Sequence, residues 1–154
     1  MGEPRPPSRS PDASSPVNIQ REGNERLKRV VIVVDDEEGP RQLSVMILKK
    51  MGCKNVVEMM NGEELLEKLP NFPNALVVLD NTFKENDAPV GLTGIEVFRI
   101  IKGNNLLDDV TVILNTGDDE EELRQEARKL GGTCIKKGTP DYVRDFKATV
   151  EKVL

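Results

Sequence analysis

Val30-Val31-Ile32-Val33-Val34-Asp35-Asp36 is an unbroken β-branched run that stops on two adjacent carboxylates. Its length and branching suit a strand with both faces covered, the kind found inside a parallel sheet. Three other runs follow the same pattern. Ala75-Leu76-Val77-Val78-Leu79 stops on Asp80, Thr111-Val112-Ile113-Leu114 on Asn115-Thr116, and Thr133-Cys134-Ile135 on Lys136-Lys137. In an open parallel sheet the carboxyl ends of the strands share one crevice. Three carboxylates, a hydroxyl and an amine are therefore expected in a single pocket.

Working outward from these runs, strand and helix patterns alternate from Leu27 onward. The first helix is predicted to open near Pro40 and to stop at Gly52, with Leu43, Met46, Ile47 and Met51 as its apolar stripe. A second strand, Asn55 to Met59, leads through Asn61-Gly62 into a helix carrying Leu65, Leu66 and Leu69. The third helix is predicted from about Gly94 to Lys102, with Ile95, Phe98 and Ile101 inward. The fourth, about Asp119 to Leu130, has a thin stripe of Leu123, Ala127 and Leu130. The fifth follows Thr139-Pro140 and turns Val143, Phe146, Val150 and Val153 to one side. Such alternation implies an α/β fold, a parallel sheet covered on both faces by right-handed crossovers.

The 154 residues suit one domain with a sizeable core. Residues 1–26 are rich in Pro, Ser and Arg and poor in apolar side chains, and are expected to form a disordered tail ahead of a folded unit at 27–154. A formal net charge of −5 argues against a nucleic-acid-binding surface. No apolar stretch approaches a membrane span, and the start lacks the apolar core of a secretory signal. Cys53 and Cys134 are expected to be free thiols in a cytoplasmic protein. With no histidine, the chain cannot itself be a phosphohistidine donor or use a histidine base or metal ligand.

Asp35-Asp36-Glu37-Glu38 would also suit a helix N-terminus, where acidic groups meet free amides. Placing Asp35, Asp36 and Asp80 on neighbouring strand ends changes that balance. Like charges about 4 Å apart repel by roughly 4 kcal/mol at an effective dielectric of 20. Such a group must hold a proton or bind a cation, and oxygen-only ligation suits Mg2+. A carboxylate beside Mg2+ can act as a nucleophile toward phosphorus. The equatorial oxygens of the transition state then need a cation, from Lys136 or Lys137, and a hydroxyl, from Thr116.

In this order, these residues resemble the receiver domain of bacterial two-component response regulators, and the likeness runs from about Leu27 to Leu154. Val33-Val34-Asp35-Asp36-Glu37 resembles the family's first-strand acidic pair, and Asn61-Gly62-Glu63-Glu64-Leu65 its turn into the second helix. Leu76-Val77-Val78-Leu79-Asp80 resembles the phosphoacceptor strand and Gly94-Ile95-Glu96-Val97 the opening of the third helix. Ile113-Leu114-Asn115-Thr116-Gly117 resembles the strand with the switch hydroxyl, Gly117 standing where Ala is usual.

The resemblance implies a flavodoxin-like, doubly wound five-stranded sheet in the order 2-1-3-4-5 with five helices, in a chemotaxis-regulator-like single-domain receiver. It also implies that Asp80 accepts a phosphoryl group from a phosphohistidine on a sensor histidine kinase or phosphotransfer protein. Asp36, Asp80 and the main-chain carbonyl of Thr82 would hold Mg2+, with Asp35 acting mainly through water. Thr116 and the strand-five lysine would contact the phosphoryl oxygens. That lysine is read as Lys137, one step before the position where the family has Pro, with Lys136 as the alternative. The chain would then be a self-phosphorylating and self-dephosphorylating switch rather than a turnover enzyme, a monomer or weak dimer that signals through a protein partner.

Three departures from the family stand out. Lys137 precedes Gly138 instead of Pro, and Cys134 occupies the usual place of a switch aromatic. The loop from Asn81 to Thr93 is about six residues longer than usual, a cheap insertion or a gate for the phosphodonor. Thr82 and Asp118 lie two residues beyond Asp80 and Thr116, where receivers tune hydrolysis. Two other readings compete: a pseudo-receiver used only for interaction, and an aspartate-nucleophile phosphatase. The latter wants a second Asp where Thr82 stands.

Overall fold

In the computed structural model, which describes residues 25–118 and 120–154, the opening run becomes β1 (Val30–Val34), a central strand. It pairs in parallel with β2 (Asn55–Met59) on one side and β3 (Leu76–Leu79) on the other. Beyond β3 lie β4 (Thr111–Thr116) and β5 (Thr133–Lys136), giving a parallel sheet in the order β2-β1-β3-β4-β5. β3 is buried along its whole length, which is why its sequence shows no polar alternation.

Period-two alternation within the strands divides the core into two layers. Val31 and Val33 face α1 (Glu38–Lys50) and α5 (Tyr142–Val153), packing with Val45, Leu48, Phe146 and Val150. Ile32 and Val34 face the opposite way, into a layer containing Leu65, Phe98, Ile101 and Leu123. Those residues come from α2 (Gly62–Lys68), α3 (Gly94–Lys102) and α4 (Glu121–Lys129). Phe98 and Phe146 are fully buried, one in each layer, and each contributes roughly 1.5–3 kcal/mol by leaving water.

Helix ends follow local chemistry. Asn61 caps α2 by accepting the Glu64 N–H at 2.8 Å, and Thr93 with Glu96 forms a reciprocal capping box that starts α3. α1 opens at Glu38, two residues before the predicted Pro40, so Pro40 sits inside the first turn. Two predicted faces need correction. Met46 is exposed and its place on the inward side of α1 is taken by Val45 and Leu48. On α5, Val143 is exposed and Tyr142 is buried in its stead. Both errors are rotations of one residue, which a thin stripe on a short helix does not resolve.

A helical turn at residues 25–28 precedes β1, and Arg26 Nη2 donates to the Glu151 carbonyl at 2.6 Å. The tail expected at 1–26 falls mostly on residues 1–24, outside the described residues.

The insertion between β3 and α3 has its own structure. Lys84–Glu85 pairs antiparallel with Ala88–Pro89, and Asn86 and Asp87 turn the corner at φ of 54° and 64°. Asn and Asp tolerate that left-handed conformation, which a tight hairpin turn requires. Phe83 is buried at the base of this hairpin arm, and Glu63 on α2 receives the Leu92 N–H at 2.8 Å.

Candidate phosphoryl-transfer site

β1 and β3 are neighbours in register, Val34 opposite Leu79, so the residues that follow them meet at one rim of the sheet. Asp35, Asp36 and Asp80 each offer a carboxylate oxygen there, all within 4.8 Å of one another. Asp35 and Asp80 are buried and Asp36 is half-buried. The main chain orients each of them. Asp35 Oδ1 accepts the Glu37 N–H at 3.0 Å, Asp80 Oδ1 accepts the Asn81 N–H at 2.8 Å, and Asp36 Oδ2 accepts the Lys84 N–H at 3.0 Å.

Lys137 enters from the end of β5. Its Nζ lies 2.5 Å from Asp35 Oδ2 and 3.4 Å from Asp80 Oδ1. Lys136 is exposed on β5 and lies outside the cleft lining. Burial pulls the Lys137 ammonium downward, but the charge of Asp80 and the bond that Lys137 donates to Asp35 together outweigh it and hold its pKa above the ordinary value. The Asp80 pKa is raised as well, which for a carboxyl favours the neutral form. Burial is the main cause, with Asp35 adding to it and Lys137 opposing, and its pKa is raised to about 7.

Thr116 ends β4 with its side chain buried, and its Oγ1 accepts the Asp118 N–H at 3.1 Å. Asp118 closes the ring on the far side. Its Oδ2 accepts from Asn81 Nδ2 at 3.1 Å and from Thr82 Oγ1 at 2.9 Å. The Asn81 bond foremost, with those from Thr82 and Thr116 and the charge of Lys84, lowers the Asp118 pKa against a smaller burial effect. Asp36, Asp80, Thr82, Thr116, Asp118 and Lys137 share the wall of one cleft of about 160 Å³.

Position matters as much as chemistry at the start of α3. A Cβ on Gly94 would run into the Asp80 carbonyl, so only glycine lets the helix approach this closely. The Gly94 N–H donates to the Asn81 carbonyl at 2.8 Å and the Ile95 N–H to Asn81 Oδ1 at 3.0 Å. Asn81 thus anchors α3 and Asp118 together.

Sequence reasoning passed over Asn81, Lys84 and Asn115. Asn115 is buried on β4, where its Oδ1 accepts from Tyr142 Oη at 2.9 Å and its Nδ2 donates to Ser44 Oγ at 3.4 Å. A polar residue inside an apolar strand was the available signal. Lys84 gave none, because a strand of two residues has no readable period.

The described residues form an oxygen-only, electron-rich cluster in which a buried carboxylate is pushed toward neutrality. That fits a small, hard divalent cation such as Mg2+. The family described as the response regulator receiver domain matches residues 31–141. The chain belongs to that family. It is 26% identical over 129 residues to the probable chemotaxis protein CheY of Rhizobium etli, covering 84% of this chain and 93% of that protein. Two solved structures show the shared receiver fold at 24% identity. One is the CheX–CheY–BeF3–Mg2+ complex from Borrelia burgdorferi, with a TM-score of 0.67 over 80% of this chain and 87% of that one. The other is chemotaxis protein CheY4 of Vibrio cholerae, with a TM-score of 0.65 over 82% and 99%. Receivers act as phospho-switches in two-component and chemotaxis signalling, and phosphorylation of an aspartate is general among them. They bind Mg2+ through an acidic cluster and work with histidine kinases, phosphotransfer proteins and other partners. No helix among the described residues is long and apolar enough to cross a membrane.

Proposed function

We propose that this receiver is a cytoplasmic phosphorelay switch in which Asp80 takes a phosphoryl group from a phosphohistidine of a partner kinase or phosphotransfer protein. The observation that carries this reading is Asp80 itself, a buried carboxylate at a strand end with Asp35 and Asp36 within 4.8 Å and Lys137 at 3.4 Å. Asp35, Asp36, Asp80 and the Thr82 carbonyl would hold Mg2+. When bound, the ion keeps Asp80 ionised and offsets charge on the transferring oxygens.

Asp80 attacks phosphorus, the bond to the imidazole nitrogen breaks, and the departing imidazole keeps the electron pair and takes up a proton. Lys137 holds Asp80 as a carboxylate and meets an equatorial oxygen. Thr116 exchanges its bond from the Asp118 N–H for a contact in which its own hydroxyl donates to the new charge. That exchange shifts the loop between β4 and α4 and biases the surface a protein partner reads.

Incubation with Mg2+ and acetyl phosphate, followed by intact-mass spectrometry, tests the reading. The native chain gains one phosphoryl group and Asp80→Asn gains none. A native chain that gains none makes the domain a pseudo-receiver. Repeated turnover of phosphomonoesters makes it a phosphatase.

A further inference from the structure

The hairpin arm returns to the site it leaves. Its first residue, Asn81, bridges Asp118 and the start of α3, and the Lys84 N–H binds Asp36 Oδ2 at 3.0 Å. Lys84 stands opposite Pro89 in the hairpin, and the Val90 N–H donates to the neighbouring Phe83 carbonyl at 2.9 Å. The Lys84 backbone is therefore pinned over the carboxylate rim, and Lys84 lines the cleft shared by Asp80, Thr116 and Lys137, with its charge acting on Asp118.

The two cleft lysines are differently engaged. Lys137 is divided between Asp35 and Asp80. The Lys84 ammonium forms no ion pair among the described residues, although its charge reaches Asp118. Asp118 adds a further carboxylate to the rim where a phosphoryl group on Asp80 would project. Such a group carries about two negative charges at neutral pH, and a flexible four-carbon stem can bring an ammonium to it. The cleft thus needs a second cation on its open side, and Lys84 is anchored there.

We infer that Lys84 is a second phosphoryl-contacting lysine, so the hairpin arm is part of the phosphoryl site rather than a tolerated insertion. The inference rests on Asp80 being the phosphoacceptor. Beryllofluoride, which mimics the phosphoryl group and needs no donor protein, separates this role from donor docking. Lys84→Ala is expected to weaken beryllofluoride binding in saturating Mg2+, and to slow acetyl phosphate loading, by about tenfold. Lys84→Arg restores both to within about threefold. Mg2+ affinity measured calorimetrically without any anion stays the same in Lys84→Ala or tightens by up to about twofold, because a repelling cation is gone.

Equal beryllofluoride affinity in native chain and Lys84→Ala overturns the inference and leaves the Asp80 reading standing. Parallel loss of Mg2+ affinity also overturns it, by making the arm a support for Asp36. A native chain that binds no beryllofluoride removes both.

Discussion

The two rims of the sheet handle charge in opposite ways. At the amino rim, just before β1, the Arg29 guanidinium hydrogen-bonds to neutral acceptors, with the charge of Asp109 also reaching it. It donates to the Asn74 carbonyl at 2.7 Å, the Val153 carbonyl at 2.7 Å and Thr111 Oγ1 at 2.8 Å. One side chain thereby ties the approaches to β1, β3 and β4 to the end of α5. At the carboxyl rim, three clustered carboxylates share one close lysine, and burial together with Asp35 lifts the Asp80 pKa to about 7. The first rim turns charge into cohesion. The second keeps an excess of negative charge that a cation can relieve and that a phosphoryl group would deepen.

The largest expected effect comes from breaking the cohesive rim. Arg29→Ala leaves several carbonyls without their donor and should cost about 3 kcal/mol in urea unfolding, while Mg2+ binding survives in the fraction that is folded. The opposite rim should respond with the opposite sign. In chelator at pH 8, Asp80→Asn removes the repelled charge and should stabilise the fold by about 2 kcal/mol. The pH dependence follows from the same shift. Folded Asp80 holds its proton up to about pH 7, whereas the unfolded carboxyl releases it near 3.8. Stability in chelator therefore falls as pH rises from about 4 to about 7, and the Asp80→Asn slope should be flatter across that window.

A smaller effect tests what relieves the imbalance. Millimolar Mg2+ should raise the melting temperature of the native chain, an increment of about 1–2 kcal/mol that Asp36→Ala loses. The smallest probes the layer beneath the site. Tyr142→Phe, which removes only the hydroxyl bonded to Asn115, should cost about 1 kcal/mol without changing Mg2+ affinity.

The same contrast explains what could be read in advance. The parallel sheet was legible because Val30–Val34 and Leu76–Leu79 are apolar on both faces, as central strands are, whereas its order came from the resemblance to receivers. The clustering of Asp35, Asp36 and Asp80 follows from that topology alone. The amino-rim clamp was not legible, since Arg29 binds mainly backbone carbonyls, which no side-chain pattern records. The long loop was legible as an insertion, but its link to the site was not, for a related reason: the Lys84 main-chain N–H, not its side-chain type, reaches Asp36. Met46 and Val143 were misplaced because helix rotation is set by packing partners distant in sequence.

The position of Lys137 on the last strand's exit has a consequence for the order of assembly. β1 emerges early in synthesis, yet it is sandwiched between β2 and β3 and cannot be covered until both exist. Lys137 appears some hundred residues after the carboxylate it pairs with, a separation of 102. Throughout that interval Asp35, Asp36 and Asp80 can be gathered but not compensated by their own lysine. A nascent chain halted before β5 therefore carries the acidic cluster without its internal counterion. Cation dependence of folding should be steepest in that truncated species, because the site becomes electrically complete only when the last strand arrives.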